Sequence, residues 1–313
     1  MAPATLKVVP WDKKPIKNPG IYSDVPLQIY HSANICIEPS ISRSGLRTIW
    51  DESPAHYWCR SPYNPHRIED EETEALITGG AAHHLLFGQE RFDREYVVKP
   101  ATVNGELCNR VTRQGKLWHE RERGGLNRTV ITKAQLDTIK GMSDSLLEHP
   151  LVQAGILNGL IEHSIFAKEP VSGLWLKARP DCIPTDSLDM ADLKTCRSVQ
   201  HHHLVWAIRD FGYTQQAGLL NMLCRAVLGQ SLNSYSLVFV ESKPPWCVRV
   251  VSIKPHEIER GERQCLGALR IFSECMASGH WPGPGGDQTD AEYIELDQRS
   301  QEAADERLKA MGM

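Results

Sequence analysis

No run of the 313-residue sequence approaches the ~18 consecutive apolar residues that a membrane-crossing helix needs. The opening stretch, MAPATLKVVPWDKKPIKNPG, lacks an apolar core of the kind that a secretory signal requires, so the expected location is the cytoplasm. Cysteines are present, at 36, 59, 108, 182, 196, 224, 247, 265 and 275, but no two stand at C-x-x-C spacing and their number is odd. That excludes a zinc ribbon and argues against a disulfide framework, leaving ordinary reduced thiols. There is no excess of positive charge. Thirty-five Lys and Arg stand against 39 Asp and Glu, a formal charge of −4. A net acidic chain does not coat DNA non-specifically, although it can still grip DNA locally. Internal repeats and low-complexity tracts are absent too, and 41% hydrophobic and 24% charged residues describe a chain that can bury a core.

What is present reads as alternating helices and strands. The first 28 residues, rich in proline, read as an extended arm, residues 29–296 as a single domain, and 297–313 as a charged tail that frays. Residues 40–58 suggest a short helix capped by Ser42 or Ser44. Residues 72–96 suggest one long helix around the small-residue patch GGAA, where something approaches closely or another helix packs. Residues 108–130 suggest a loop with one helical turn. Thr132 opens a helix with Gln135 completing a capping box, and a short helix follows over 150–160. Two strands, 173–183 and 187–196, precede a helical stretch at 198–229, a strand pair over 234–254 and a helix from Pro255 to about Ser278. This order gives an α/β fold, in effect an α+β sandwich.

The chemistry concentrates in RPDCIPTDSLDMADLKT, residues 179–195. A hairpin centred between Asp186 and Ser187 sets Asp181 directly opposite Asp192, with Lys194 on the same face. Two carboxylates that close repel, and a hard divalent cation such as Mg²⁺ or Mn²⁺ relieves them. Surface aspartates on an exposed hairpin are the competing reading, and Asp186 and Asp189 read as turn residues. His201, His202 and His203 cannot converge on one ion, because consecutive helical side chains point about 100° apart.

Asp181 followed by Asp192-Leu193-Lys194 resembles the PD-(D/E)xK nuclease core, with Pro180-Asp181 as its "PD". The sequence is similar to the exodeoxyribonuclease VIII (RecE-type) branch of phage and prophage recombination modules. GGAAHHLLF (79–87) resembles that branch's histidine helix and places its histidine at His83, with His84 as the neighbouring alternative. IEHSIFAKEPVSGLWLKARPD (161–181) resembles its glutamate segment and places the acid at Glu162, with Glu169 as a rival. Tyr213 and Gln216 fall on its Y-x-x-Q helix, and 40–58 resembles its lead-in. The similarity spans about 29–282.

The resemblance implies a restriction-endonuclease-like core, a central mixed β-sheet flanked by helices. It implies metal ligands Asp181 and Asp192, with Glu162, His83 and the Leu193 carbonyl completing the set around Mg²⁺, which Mn²⁺ can replace. Lys194 would orient the attacking water, and Gln216 and Tyr213 would border the site and contact DNA or the lysine. Arg179 lies two residues before Asp181, able to touch phosphate or to make a structural ion pair. The cluster Arg110, Arg113, Lys116, Arg121, Arg123 and Arg128 is interleaved with Trp118, and Arg113, Lys116 and Arg121 lead it as DNA-backbone contacts; a solvated loop is the alternative. The implied activity is metal-dependent 5′-to-3′ exonuclease digestion of linear double-stranded DNA by a homo-oligomeric ring, leaving 3′ strands for a single-strand annealing protein. An endonuclease or junction-cutting enzyme on the same core, and a catalytically silent DNA-binding protein, are the alternatives.

Overall fold

A computed structural model describes residues 6–68, 73–287 and 289–313. At its centre are two mixed sheets. The five-stranded sheet runs Val8–Pro10, Gly20–Ser23, Ser164–Lys168, Trp175–Ala178, Ser40–Ser42, with its two outer pairs parallel and its inner pairs antiparallel. The three-stranded sheet places Ser234–Glu241 between Asp189–Cys196, parallel to it, and Val248–Ser252, antiparallel to it. The segment expected as an extended arm therefore supplies two strands, and Ile21 is fully buried. Its apolar residues Ile16, Tyr22, Val25 and Tyr30 pack on Phe166 and Trp175, and that burial outweighs the prolines.

The stretches 173–183 and 187–196 do not form the expected hairpin. The partner of Trp175–Ala178 is Ser164–Lys168, and Cys182–Ile183 continues the same antiparallel ladder with Leu160–Ile161. Both halves keep one register across an irregular break, and in that register Asp181 falls opposite Glu162. The break has its own signature. Glu162 adopts a positive φ of 56°, and its N–H donates to the Asp181 carbonyl at 3.3 Å. Asp189–Cys196 instead pairs with Ser234–Glu241, and it is covered on each side, with Met190 and Asp192 buried on one face and Ala191 and Leu193 on the other.

Helices cover both faces of the three-stranded sheet. Met190, Tyr235, Leu237 and Phe239 pack toward the helices Tyr213–Leu228 and Pro255–Ser278. Ala191, Leu193, Val238 and Val240 pack toward the helices Glu74–Leu86 and Lys133–Glu148. The capping box at Thr132 forms as the sequence predicts. The expected long helix breaks at Gly88, whose φ of 137° ends Glu74–Leu86 before Gln89–Glu95 begins; its expected start at residue 72 lies outside the described residues. Similarly, Gly212 (φ 62°) divides the stretch 198–229 into His201–Asp210 and Tyr213–Leu228. The stretch 108–130 carries more helix than expected, Arg113–Glu120 followed by a π-turn at Arg121–Gly125. The expected helix over 150–160 shrinks to Pro150–Gln153, and the tail expected to fray forms an exposed helix, Gln298–Ala310.

Candidate active site

Alternation along Asp189–Cys196 puts Met190, Asp192 and Lys194 on the face toward Tyr213–Leu228. Asp192 is only 2% exposed, so its carboxylate sits beside the core, and the Lys194 ammonium lies against its Oδ2. Lys194 Nζ also stands 5.0 Å from the centre of the Tyr213 ring, a cation–π contact from the first residue of that helix. Asp181 arrives from the broken hairpin. Its Oδ2 accepts the Leu193 N–H at 2.7 Å, and its Oδ1 lies 3.3 Å from His83 Nδ1. The two aspartates are thus brought together by a side-chain-to-backbone bond between neighbouring sheets. They are not a cross-strand pair, and this corrects the expected register while keeping its consequence, two acids beside one lysine.

The electrostatics follow. Burial raises the Asp192 carboxyl above its ordinary range and Asp181 pushes the same way, with Lys194 opposing. Burial would also raise Asp181, but His83, Lys194 and the Leu193 N–H outweigh it and hold that carboxyl low. For Lys194, burial works against the ammonium, yet Asp192 and Asp181 prevail and lift it above the usual lysine value. His83 behaves the same way, burial opposing and Asp181 lifting it. The pair of acids therefore depends on cationic neighbours to stay ionised.

Both histidines are engaged. His83 faces Asp181, and His84 Nε2 lies 3.3 Å from Glu162 Oε1. Glu162 borders the groove, whereas the rival Glu169 closes a turn, accepting from Val171 N (3.1 Å), Ser172 N (2.7 Å) and Ser172 Oγ (2.7 Å). The small-residue patch serves close approach to the site strand, since a Cβ on Gly79 would stand 3.1 Å from Thr195 Oγ1. Gln216 lies one turn beyond Tyr213, and its Oε1 is buried without a hydrogen-bond partner among the described residues.

A groove of about 1230 Å³ opens over Asp181, His83, His84 and Glu162. Arg110, Arg123, Arg128 and Arg179 line it. Arg179 is held by Ser164 Oγ at 2.9 Å, by the Val25 carbonyl and by the Tyr30 ring 5.0 Å away, so it is a wall of the groove with a structural role as well. Arg113, Lys116 and Arg121 do not line the groove; Arg121 pairs with the buried Glu122 at 2.5 Å. The basic segment does reach the site, but through Arg110, Arg123 and Arg128. Trp118 is buried on the helix Arg113–Glu120, while Arg113 and Lys116 on that helix are exposed away from the groove. The three consecutive histidines begin the helix His201–Asp210, where the rings of His202 and His203 lie against each other and meet Trp206 edge-on, and none of the three lines the groove.

Among the described residues no three His, Cys, Asp or Glu side chains converge as a ready-made metal cage. The donor set nevertheless fits a hard divalent cation. Asp181 lines an acid-and-base groove with the buried Asp192 near it, and Lys194 and His83 supply positive charge beside them. Mg²⁺ keeps several waters and takes one or two carboxylates, so two aspartates suffice without a protein cage.

A mixed sheet flanked by helices, with Asp181 and Asp192-x-Lys194 at its edge, defines a PD-(D/E)xK-type architecture. The chain belongs to the family described as PDDEXK-like domain of unknown function (DUF3799), whose profile matches residues 42–295. It is similar in structure to a protein of Eubacterium rectale described as a "Putative exonuclease", with 13% identity over 84% of this chain and 93% of the other, at a TM-score of 0.55. That likeness shows the fold. No curated protein matches the sequence.

Proposed function

We propose that the protein is a divalent-metal-dependent deoxyribonuclease that hydrolyses linear double-stranded DNA from its ends. The observation that carries this reading is the buried Asp192–Lys194 pair beside Asp181, which itself lines an arginine-lined groove. A structural core gains nothing from two acids and a lysine that must hold one another ionised; a phosphodiester hydrolase needs all three. Asp181 and Asp192 would hold Mg²⁺, or Mn²⁺ in its place, with Glu162, His83 and the Leu193 carbonyl completing the set. The bound cation would polarise the scissile phosphate and lower the pKa of a bound water.

The chain's own residues do the rest. Leu193 N–H fixes the Asp181 carboxylate. Lys194, held cationic by the two aspartates and propped on Tyr213, orients water and steadies negative charge developing on the phosphate, as a donor rather than as a base. His83 holds Asp181 from the helix side, and His84 with Glu162 forms the next contact along the groove. Arg110, Arg123, Arg128 and Arg179 receive the DNA backbone. The motif resemblance supports 5′-to-3′ polarity, 3′ single-stranded products passed to an annealing protein, and a ring of identical subunits in which positive charge need only line a channel.

Incubation with end-labelled linear and with closed circular duplex, each with Mg²⁺ or with chelator, tests the reading. The linear duplex shortens from its 5′ ends only with metal, and the circle persists. Cutting of the circle would identify an endonuclease, and persistence of both substrates would remove the hydrolase reading.

A further inference from the structure

Lys177 is 3% exposed, yet no carboxylate lies within ion-pair distance of it among the described residues. Its one hydrogen bond goes to the Tyr30 carbonyl at 2.7 Å, and its ammonium sits 5.1 Å from the centre of the Tyr30 ring. An ammonium has three donors, so two remain. Burial of a charged group without a counter-charge is costly, and a core of this size could hold a methionine there instead. The lysine lines a cavity of about 310 Å³ that is partly open to solvent and bordered by the start of the helix Arg43–Asp51, by the edge strand Ser40–Ser42, and by Arg60 and Arg67. The described lining contains no aspartate or glutamate.

Three further features point the same way. Ser40 is 1% exposed and lines the cavity, and among the described residues its Oγ makes no well-formed hydrogen bond, with the Cys36 thiol as its polar neighbour. Ser42 occupies the cap position of the nine-residue helix, but its side chain bonds no helix N–H; its Oγ instead meets Ser44 Oγ at 3.0 Å. The first-turn N–H groups near Ser44 and Gly45 therefore lack a side-chain cap where they border the cavity, and a helix N-terminus favours negative charge. The cavity is separate from the catalytic groove. Tyr30 stands between them, with Lys177 on the cavity side and Arg179, 5.0 Å from the same ring, on the groove side.

We propose that this cavity is a phosphate-binding pocket, in which Lys177, the Ser40 hydroxyl and the N-terminus of Arg43–Asp51 hold one tetrahedral phosphate group. The phosphate is a backbone phosphate of bound DNA or free inorganic phosphate; the DNA source rests on the nuclease reading, and the pocket itself does not. A bound phosphate supplies the counter-charge that Lys177 lacks and takes the hydrogen bond that Ser40 leaves unmade.

The test uses the full chain with chelator, so that no hydrolysis occurs. Thermal unfolding is followed as inorganic phosphate replaces chloride at constant ionic strength, and DNA affinity is measured against salt. Phosphate raises the unfolding temperature of the wild type, Lys177→Met abolishes that shift, and Ser40→Ala, a milder change, weakens phosphate severalfold. If the occupant is a DNA phosphate, Lys177→Met lowers duplex affinity by roughly tenfold and the salt slope by about one. If it is free phosphate alone, duplex affinity is unchanged and the phosphate shift is still lost. A phosphate shift of equal size in the wild type and both variants would overturn the pocket. So would the absence of any shift together with unchanged DNA affinity in Lys177→Met. A protein that cuts no DNA but loses its phosphate shift with Lys177 would keep the pocket and lose only the nuclease reading.

Discussion

Lys194 and Asp192 differ in what their loss does. Asp192→Asn removes a metal-binding charge and leaves the shape, so digestion of linear duplex falls below detection while the unfolding temperature holds or rises, the buried charge being gone. Lys194→Met removes the water-orienting donor, and the rate falls roughly 10²–10³-fold, as for other single transition-state donors; single-turnover assays with the DNA bound distinguish that loss from weaker binding. Lys177 yields a prediction in stability instead. Burial pushes its ammonium down from 10.5 to about 8, with the Cys36 side chain opposing, and Tyr30, His31 and Arg179 beside it carry no compensating negative charge at neutral pH. Between about pH 8 and 10.5 the unfolded chain holds a proton there that the folded chain has released. The cost of burying the ammonium is therefore complete below pH 8 and is relieved as pH rises through that window. Relative to Lys177→Met, the wild type should gain up to about 3 kcal/mol from pH 7 to pH 10.5, read as the difference between their denaturant curves; parallel pH profiles would contradict it. The sequence carried Asp181, Asp192 and Lys194 legibly because their spacing is local. Lys177 gave no signal, since one lysine in an alternating strand looks solvent-facing until the second layer over it is known.

The helices Tyr213–Leu228 and Pro255–Ser278 cross with almost no side chain between them, and this contact sets how firmly Tyr213 is presented to Lys194. A Cβ on Gly261 would lie 1.9 Å from the Thr214 carbonyl oxygen, and one on Gly218 would lie 2.3 Å from the Glu262 nitrogen. Neither clash can be relieved by a rotamer, because the atoms met are backbone. Gly261→Ala should cost at least the ~1–3 kcal/mol of core overpacking, visible as a lower urea midpoint at unchanged slope, and should reduce activity along with it by shifting the Tyr213 end. A midpoint equal to wild type would show that the helices are not in this contact. Elements with local signals were readable: the Thr132–Gln135 capping box, the strand pair ending at Pro255, and the helix from Pro255 to Ser278. The partner of Asp189–Cys196 was not. A short PTD turn suggests a hairpin, but the choice between that hairpin and a parallel pairing with Ser234–Glu241, 45 residues on, depends on which partners cover both faces of the strand. The break at Glu162 was equally silent, because a positive φ at a glutamate has no sequence signature.

Over the whole molecule, the acidic total conceals a local field. Arg110, Arg123, Arg128 and Arg179 converge on one groove, where they outnumber the carboxylates of Glu95, Glu162 and Asp181. Arg110→Ala and Arg123→Ala should each weaken duplex binding across all sequences and lower the salt slope by about one, whereas Arg113→Ala and Lys116→Ala, which do not line the groove, should change neither. An equal effect of all four would mean that the DNA lies on the outer face of this segment. Composition alone announced six basic residues, and Arg110, Arg123 and Arg128, which flank the helix Arg113–Glu120, line the groove, whereas Arg113 and Lys116 on it do not. The proposed hydrolysis requires two aspartates to capture a doubly charged cation next to a lysine. The direct measurement is calorimetric titration of Mn²⁺ into the wild type and into Asp192→Asn. The wild type binds with release of heat or protons and the variant does not; equal binding by both, or none by the wild type with DNA present, would contradict it.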